Sequence, residues 1–415
     1  MTTSGTMTTC SEALRLVLDS VDPLPARKTS LEGALGLVLA GTLVSPETVP
    51  PFTNSAMDGY AVRADDCAAA APGAPVSLEV LSDLPAGSVA LHDVRPGTAI
   101  RIMTGAPLPG GADTVVPVEA TTSDAGRVRI TAPPKRGANV RKAGEDLREG
   151  EELLPKGFVL TPAALGILAS VGLAEVPVHP RVRIAILTTG DELVAAAEKP
   201  GPGQIRDSNI QTMCGQAVAF GAVPVPFPRV PDTREAVTLA LTKARESADV
   251  IVTNGGISVG DYDFIKAVLA DCGAREVFWK VRQKPGGPLG FWLWGGTPVF
   301  GIPGNTVAAM VCMEEYVRPA LRKMMGHARL LRPEVTGIFE GEFRKSAPDG
   351  KVHLVRVRAR RENGKVVVSP SGPQGSGILS SMLRSNALAL VPAEAVALKS
   401  GDEVLVHLIE EPEDR

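Results

Sequence analysis

Aromatic residues are scarce in this chain, with 10 Phe, 3 Trp and 3 Tyr in 415 positions, too few for the ring platforms on which single-stranded nucleic acid or sugars stack. Charge of one sign is lacking too: 43 Lys and Arg face 46 Asp and Glu, a net charge of -3. A basic nucleic-acid binder and a disordered polyelectrolyte are therefore excluded. The five cysteines, Cys10, Cys67, Cys214, Cys272 and Cys312, are odd in number and form no C-x-x-C pair. Neither a disulfide framework nor a structural zinc site is expected, and a reducing, cytoplasmic setting fits. The stretch read as the candidate membrane span, 158–174, is uncharged but interrupted by Pro162, Gly166 and Gly172 and is shorter than the roughly 20 residues a span needs. No membrane partner is expected, and the polar opening MTTSGTMTTC has no signal-peptide pattern.

What is present is a chain rich in turns, with 43 Gly and 35 Pro, long enough for several domains. Thr9-Cys10-Ser11-Glu12 before apolar Leu14, Val17 and Leu18 reads as a capping box and an amphipathic helix. From 75 to 132 the runs PVSLEVL, TAIRI, DTVVPV and GRVRITA are short, β-branched strands. A helix over TPAALGILASVG follows, then VPVHP, read as a linker. Buried-strand candidates at 182–187, 222–227, 249–252 and 299–302 alternate with helical patterns, one opening with Asp232 and Glu235 at capping-box spacing. The expectation is an α/β unit over 181–326, a parallel sheet with helices on both faces. After Arg332 come EVTGIFEGE, KVHLVRVRAR, a turn at Asn363-Gly364, KVVVS, ALALVP and DEVLVHL, which fit a C-terminal β barrel. The fold class is thus multidomain α+β, with β-rich units around a central α/β unit.

In an open α/β sheet, ligands bind beyond the carboxyl ends of the strands. Four loops stand out there: 188–192 (TTGDE), 254–261 (NGGISVGD), 284–288 (KPGGP) and 301–305 (GIPGN). Any one of them alone would read as a tight turn. Three are glycine-rich and lead into helices, where unpaired N–H groups favour an anion such as phosphate. The expected ligand is phosphorylated or an oxyanion, with Gly255, Gly256, Ser258, Gly260, Gly286, Pro303, Gly304 and Asn305 as contacts. No P-loop occurs, and GGISVG misses the dinucleotide spacing. Gly256-Ile257-Ser258-Val259-Gly260 matches a nucleophile elbow, but His327, His353 and His407 sit in no motif, so Ser258 is read as a phosphate contact or a helix cap. Asp191, Glu192, Asp261 and Asp263 gather at the same loops. Carboxylates beside a phosphate suit Mg2+, making Glu192, Asp261 and Asp263 candidate ligands; helix capping is the even alternative for the last two. Lys280 and Lys284 can neutralise an anion. Upstream, Asp58-Gly59 reads by default as a hairpin turn and 141–146 (RKAGED) as an exposed charged turn.

Taken in order, NSAMDGYA, IRIMTGAPLPGGAD, VRKAGED, TTGDEL, GQIRDSN, NGGISVGDYD, FWK, KPGGP and GIPGN resemble the molybdopterin molybdenumtransferase (MoeA) family, related to the C-terminal part of gephyrin, over about residues 10–410. The resemblance implies a homodimer of four-domain subunits. These are a discontinuous helical and linker domain (9–30 with 142–180), an inserted β-rich domain (42–141), the α/β molybdopterin-binding domain (181–326) and the barrel (330–410). It also implies Mg2+-dependent insertion of molybdate into adenylylated molybdopterin with release of AMP. The pterin's own dithiolene sulfurs hold molybdenum, so no cysteine ligands are needed. By motif, Asp58, Thr104, Asp146, Glu192, Asp263, Lys280 and Lys284 match the family's functional positions, as does Pro303, with looser matches at Arg356 and Ser376. Asp58, Thr104 and Asp146 are implied to reach the site from a second subunit. Molybdopterin adenylyltransferase and molybdoenzyme maturation factors are the implied partners. Two departures stand out: Gly287 where the family has lysine, which implies weaker anion binding, and Thr306 where it has proline. Molybdopterin adenylylation, a scaffold, and a paralogue with altered metal or pterin preference are the alternatives.

Overall fold

The computed structural model describes residues 7–256 and 264–414. The first helix, Cys10–Asp19, starts where Thr9 Oγ1 accepts the Glu12 amide at 3.2 Å, as the spacing predicts. Its buried Ala13 and Val17 pack with Val182 and Met213 in the α/β core, rather than with 142–180, to which the 9–30 grouping assigned it. The element that does return to 142–180 is Arg27–Ser30, antiparallel to Glu175–His179, which also pairs with Val38–Leu39. The VPVHP stretch, expected to be a linker, is therefore the central strand of a three-stranded sheet. Val176 and Val178 point inward from it with the period of two that a strand imposes.

Six strands form the next sheet, in the order Thr114–Pro117, Gly59–Val62, Thr98–Ile102, Val76–Leu84, Arg127–Ile130, Thr121–Asp124. Gly59 lies in a strand, not in the hairpin turn that Asp58-Gly59 suggests. A Cβ at Gly59 would fall 2.2 Å from the Val116 carbonyl oxygen, so glycine is what permits the two strands to close.

The α/β sheet runs Val223–Pro226, Arg183–Thr188, Val250–Asn254, Thr297–Ile302, Gly290–Trp294, Arg275–Trp279. Its first four strands, all foreseen, are parallel. The other two extend it antiparallel; Gly290–Trp294 is an unbroken apolar run, which periodicity cannot assign. Ile184, Ile186, Val252 and Phe300 face the helices Asn209–Ala219 and Thr306–Cys312. Ala185, Leu187, Ile251 and Val299 face Arg234–Ser247 and Phe264–Asp271. Both faces are covered, as a parallel sheet requires. The cap of Arg234–Ser247 is not Asp232 but Thr233, whose Oγ1 accepts the Ala236 amide at 3.3 Å.

In the C-terminal region five strands close into a barrel: Glu334–Phe339, Val352–Glu362, Lys365–Pro370, Ala387–Val391 and Glu403–Leu408, with Val352–Glu362 pairing both Lys365–Pro370 and Ala387–Val391. Asn363 and Gly364 have φ of +50° and +76°, the left-handed pair a two-residue hairpin uses. All five cysteines are free. Among the described residues no helix is long and apolar enough to cross a membrane.

The barrel is clasped to the α/β unit by His407, whose Nδ1 lies 3.0 Å from Glu315 Oε2 and Nε2 3.3 Å from Glu334 Oε2. Burial alone would lower the imidazole's pKa, but the Glu315 and Glu334 carboxylates outweigh it and hold the value raised. A raised folded-state pKa means the clasp is fully stabilising below the unfolded value of about 6.5 and is lost as pH rises through the folded value. We expect urea denaturation to show wild type losing stability between about pH 6 and about pH 9 by more than His407→Gln does. Parallel pH profiles for the two would show that the clasp contributes nothing.

Candidate active site

The chain order places Val223–Pro226 on one side of Arg183–Thr188 and Val250–Asn254 on the other. Connections therefore leave in opposite directions between those two central strands, opening a crevice at their carboxyl ends. A cavity of about 220 Å³ lies there, lined by Thr189, Gly190, Glu192, Asp207, Asn209, Asp232, Asn254, Gly255, Gly256, Gly304 and other residues of the same loops. Three of the four loops singled out in the sequence converge on it. Gly255 must be glycine: its φ is +90° and a Cβ would sit 2.7 Å from the Thr189 carbonyl oxygen.

The loops are held by two side-chain amides, of which Asn254 is buried. Asn254 Nδ2 donates to the Pro303 carbonyl at 2.6 Å, while Asn209 Nδ2 donates to Asn254 Oδ1 at 2.6 Å and to the Gly304 carbonyl at 2.5 Å. Asn209 Oδ1 is buried with no partner among the described residues. Asp207 is locked by the Thr188 hydroxyl at 2.6 Å and the Ile210 amide at 3.0 Å. Asp232, released from capping, accepts the Asp191 amide at 3.3 Å. Burial raises its carboxyl pKa, with the neighbouring charges of Asp191 and Glu192 adding to the rise.

Of the residues predicted as a site, Glu192, Gly255, Gly256 and Gly304 line this cavity. Pro303 and Asn305 flank it in the loop leading to Thr306–Cys312. Ser258, Gly260, Asp261 and Asp263 lie outside the described residues. The loop 284–288 does not join the others. Lys284 pairs in register with His353 of the barrel, and Gly286, at φ +88°, has its missing Cβ 2.7 Å from Cys312 Sγ. Gly287 has no positive φ, and a Cβ there would meet the Gln283 carbonyl oxygen at 3.0 Å. Lys280, at φ +69°, accepts from the Thr8 amide through its carbonyl at 3.2 Å. Neither lysine lines the cavity. Thr306 does, with Oγ1 3.5 Å from Ser208 Oγ.

Asp58 and Thr104 form an exposed pair, with Thr104 N and Oγ1 both donating to Asp58 Oδ1 at 2.7 Å. Those two bonds lower the carboxyl pKa. Asp146 is also exposed, and none of the three lines the cavity. Arg356 is a buried brace: it donates to Ser381 Oγ at 3.1 Å and to the Gly375 and Pro373 carbonyls, and burial pulls its pKa down to about 10. The Ser376 carbonyl accepts the Val307 amide at 3.2 Å, tying this loop to the Thr306–Cys312 helix. No histidine lines the cavity among the described residues, and the nucleophile-elbow pattern at 256–260 lies outside them from 257 onward.

Three family models match the chain in order: MoeA N-terminal region (domain I and II) over residues 8–172, probable molybdopterin binding domain over 185–323, and MoeA C-terminal region (domain IV) over 343–409. The chain is 36% identical to molybdopterin molybdenumtransferase 2 of Mycobacterium tuberculosis over 405 residues, covering 96% of this chain and 99% of that one. The chain belongs to the molybdopterin molybdenumtransferase family. A molybdopterin molybdenumtransferase of Nostoc sp. is 37% identical over 385 residues, covering 91% and 87%. The crystal structure of the molybdopterin biosynthesis moeA protein from Pyrococcus horikosii superimposes with a TM-score of 0.82 at 28% identity, covering 98% of this chain and 100% of that one. In this molybdenumtransferase-family chain the sequence reading missed Asp207, Asn209 and Asp232. The first two lie in GQIRDSN, where the signal was present but no role was assigned. Asp232 was hidden by its capping-box spacing.

Asn254→Ala strips the Pro303 carbonyl and the Asn209 amide of their partner, at about 1–3 kcal/mol for each buried group left unpaired. We expect a lower urea midpoint and faster hydrogen exchange in 301–305. Unchanged exchange there would show that the amide bridge does not hold the loop.

Proposed function

We propose that this chain inserts molybdate into adenylylated molybdopterin with Mg2+ and release of AMP, and that the reaction takes place in the cavity at the sheet's carboxyl edge. The observation that carries the reading is the convergence of Gly255, Gly256 and Gly304 with Glu192, Asp207 and Asp232 in one crevice. Glycines let a phosphate approach the backbone, and the rest of that donor set is oxygen, as Mg2+ requires. Burial, with the Asp191 and Glu192 charges adding to it, raises the Asp232 carboxyl pKa, and a divalent cation would relieve that charge. No three His, Cys, Asp or Glu side chains form a metal cluster among the described residues. Glu192 would hold the ion together with Asp261 and Asp263 of 257–263. Bound there, Mg2+ supplies charge neutralisation at the phosphoanhydride oxygens. The chain's own groups approach the phosphates through Gly255 and Gly256 and keep the loops in place through Asn209 and Asn254.

The same reading makes the working unit a homodimer. The Asp58–Thr104 pair and Asp146 are exposed and outside the cavity, as residues serving a second subunit's site would be. Its four-domain division is 9–30 with 142–180, 42–141, 181–326 and 330–410; the pairing of Arg27–Ser30 with Glu175–His179 supports the discontinuity, while the helix Cys10–Asp19 packs on the 181–326 core.

Glu192→Gln and Asp263→Asn should each cut Mg2+-dependent AMP release by about a hundredfold or more while leaving the melting temperature near wild type. Normal AMP release by both variants would refute the assignment. Asp58→Asn and Glu192→Gln, each inactive alone, should regain about one quarter of wild-type activity when mixed and reassociated, since half the dimers are mixed and each carries one intact site. No regain in a mixture shown by sedimentation to be dimeric would place both residues in one subunit's site.

A further inference from the structure

The cavity is acidic. Glu192, Asp207 and Asp232 line it, and among the described residues the single Lys or Arg in the lining is Arg206. A phosphoanhydride brings more negative charge to that crevice, and Lys280 and Lys284, the cations the motifs suggest, are not in its wall. Arg206 Nε donates to the Ala196 carbonyl at 3.0 Å, and its terminal nitrogens make no hydrogen bond or ion pair among the described residues. The backbone around it is fixed on both sides. Ile205–Arg206 pairs in parallel with Leu193–Val194, and the next residue, Asp207, is pinned by Thr188 and Ile210. Arg206 is exposed, its guanidinium held at its root while its fork of donors has no protein partner among the described residues, and such a fork can meet two phosphate oxygens at once.

We propose that Arg206 is the phosphate-binding cation of this site, taking the substrate's phosphoanhydride oxygens through its two terminal nitrogens. The inference rests on the reading of this cavity as the phosphoanhydride site.

The test is equilibrium binding of ADP, a phosphoanhydride probe, and of adenosine, which has no phosphate, to the full chain with Mg2+. Arg206→Gln should weaken ADP by about tenfold to a hundredfold, the range for a charge-assisted bond, and leave adenosine unchanged. Arg206→Lys should recover part of the loss, and the wild-type affinity for ADP should fall more steeply with salt than that of Arg206→Gln. With adenylylated molybdopterin the same variant should raise KM more than it lowers kcat. Equal loss of ADP and adenosine would show that Arg206 only pins its loop to Ala196, and wild-type ADP affinity in Arg206→Gln would overturn the proposal outright. In that second case, continued AMP release by wild type would leave the functional reading standing; wild type that neither binds ADP nor releases AMP would bring down both.

Discussion

A bridge of two side-chain amides fixes the loops around the crevice. Asn254, at the end of a central strand, holds the Pro303 carbonyl and accepts from Asn209, which in turn holds Gly304. Side-chain amides suit this task because each carries both donors and an acceptor, so one residue can satisfy two loops whose backbone groups would otherwise be buried unpaired. The glycines are the other half of the same constraint. Gly255 approaches the Thr189 carbonyl so closely that a single methyl would force the loops apart. Glu192, Asp207 and Asp232 can share one small cavity because these loops are fixed from behind.

The surrounding elements brace that arrangement from outside. The helix beginning at Thr306 takes its first capping contact from the Ser376 carbonyl in the barrel region, on a loop that Arg356 holds by its carbonyls. Val307 and Val311 of this helix pack with Leu354, Met382 and Leu388, joining the α/β core to the barrel through apolar burial. His407 with Glu315 adds an ionic clasp further along. The barrel is thereby coupled to the loop that carries Gly304, although none of its residues enters the cavity.

The family and the order of the motifs were legible in the sequence, as were the four parallel strands, the barrel strands and the first helix cap. Those features are local. An apolar run, a β-branched alternation or a Thr–Glu spacing reports what a short stretch of backbone prefers, and nothing distant overrides it at these positions. Where a local pattern had two meanings, it misled. Asp232 stands at capping distance from Glu235, but Thr233 one residue later performs the capping, which leaves the carboxylate for the cavity. Asp58-Gly59 has the composition of a turn, but a neighbouring strand close enough to exclude a Cβ makes Gly59 part of a sheet.

The sequence by itself determined which chemical groups the protein owns: glycine loops, carboxylates, cations and five scattered cysteines. Tertiary structure alone decided which of them meet. The loop 284–288 has the same glycine-rich character as the loops that line the crevice, yet the pairing of Lys284 beside His353 carries it to the barrel. Arg206, in a motif whose residues had no assigned role, is the cation that reaches the wall. Asp58 and Thr104 become one unit across 46 residues of chain. Such meetings depend on strand order and register over long separations, which no periodicity along the chain records, because the energy that selects them comes from burial shared among elements and not from any one segment.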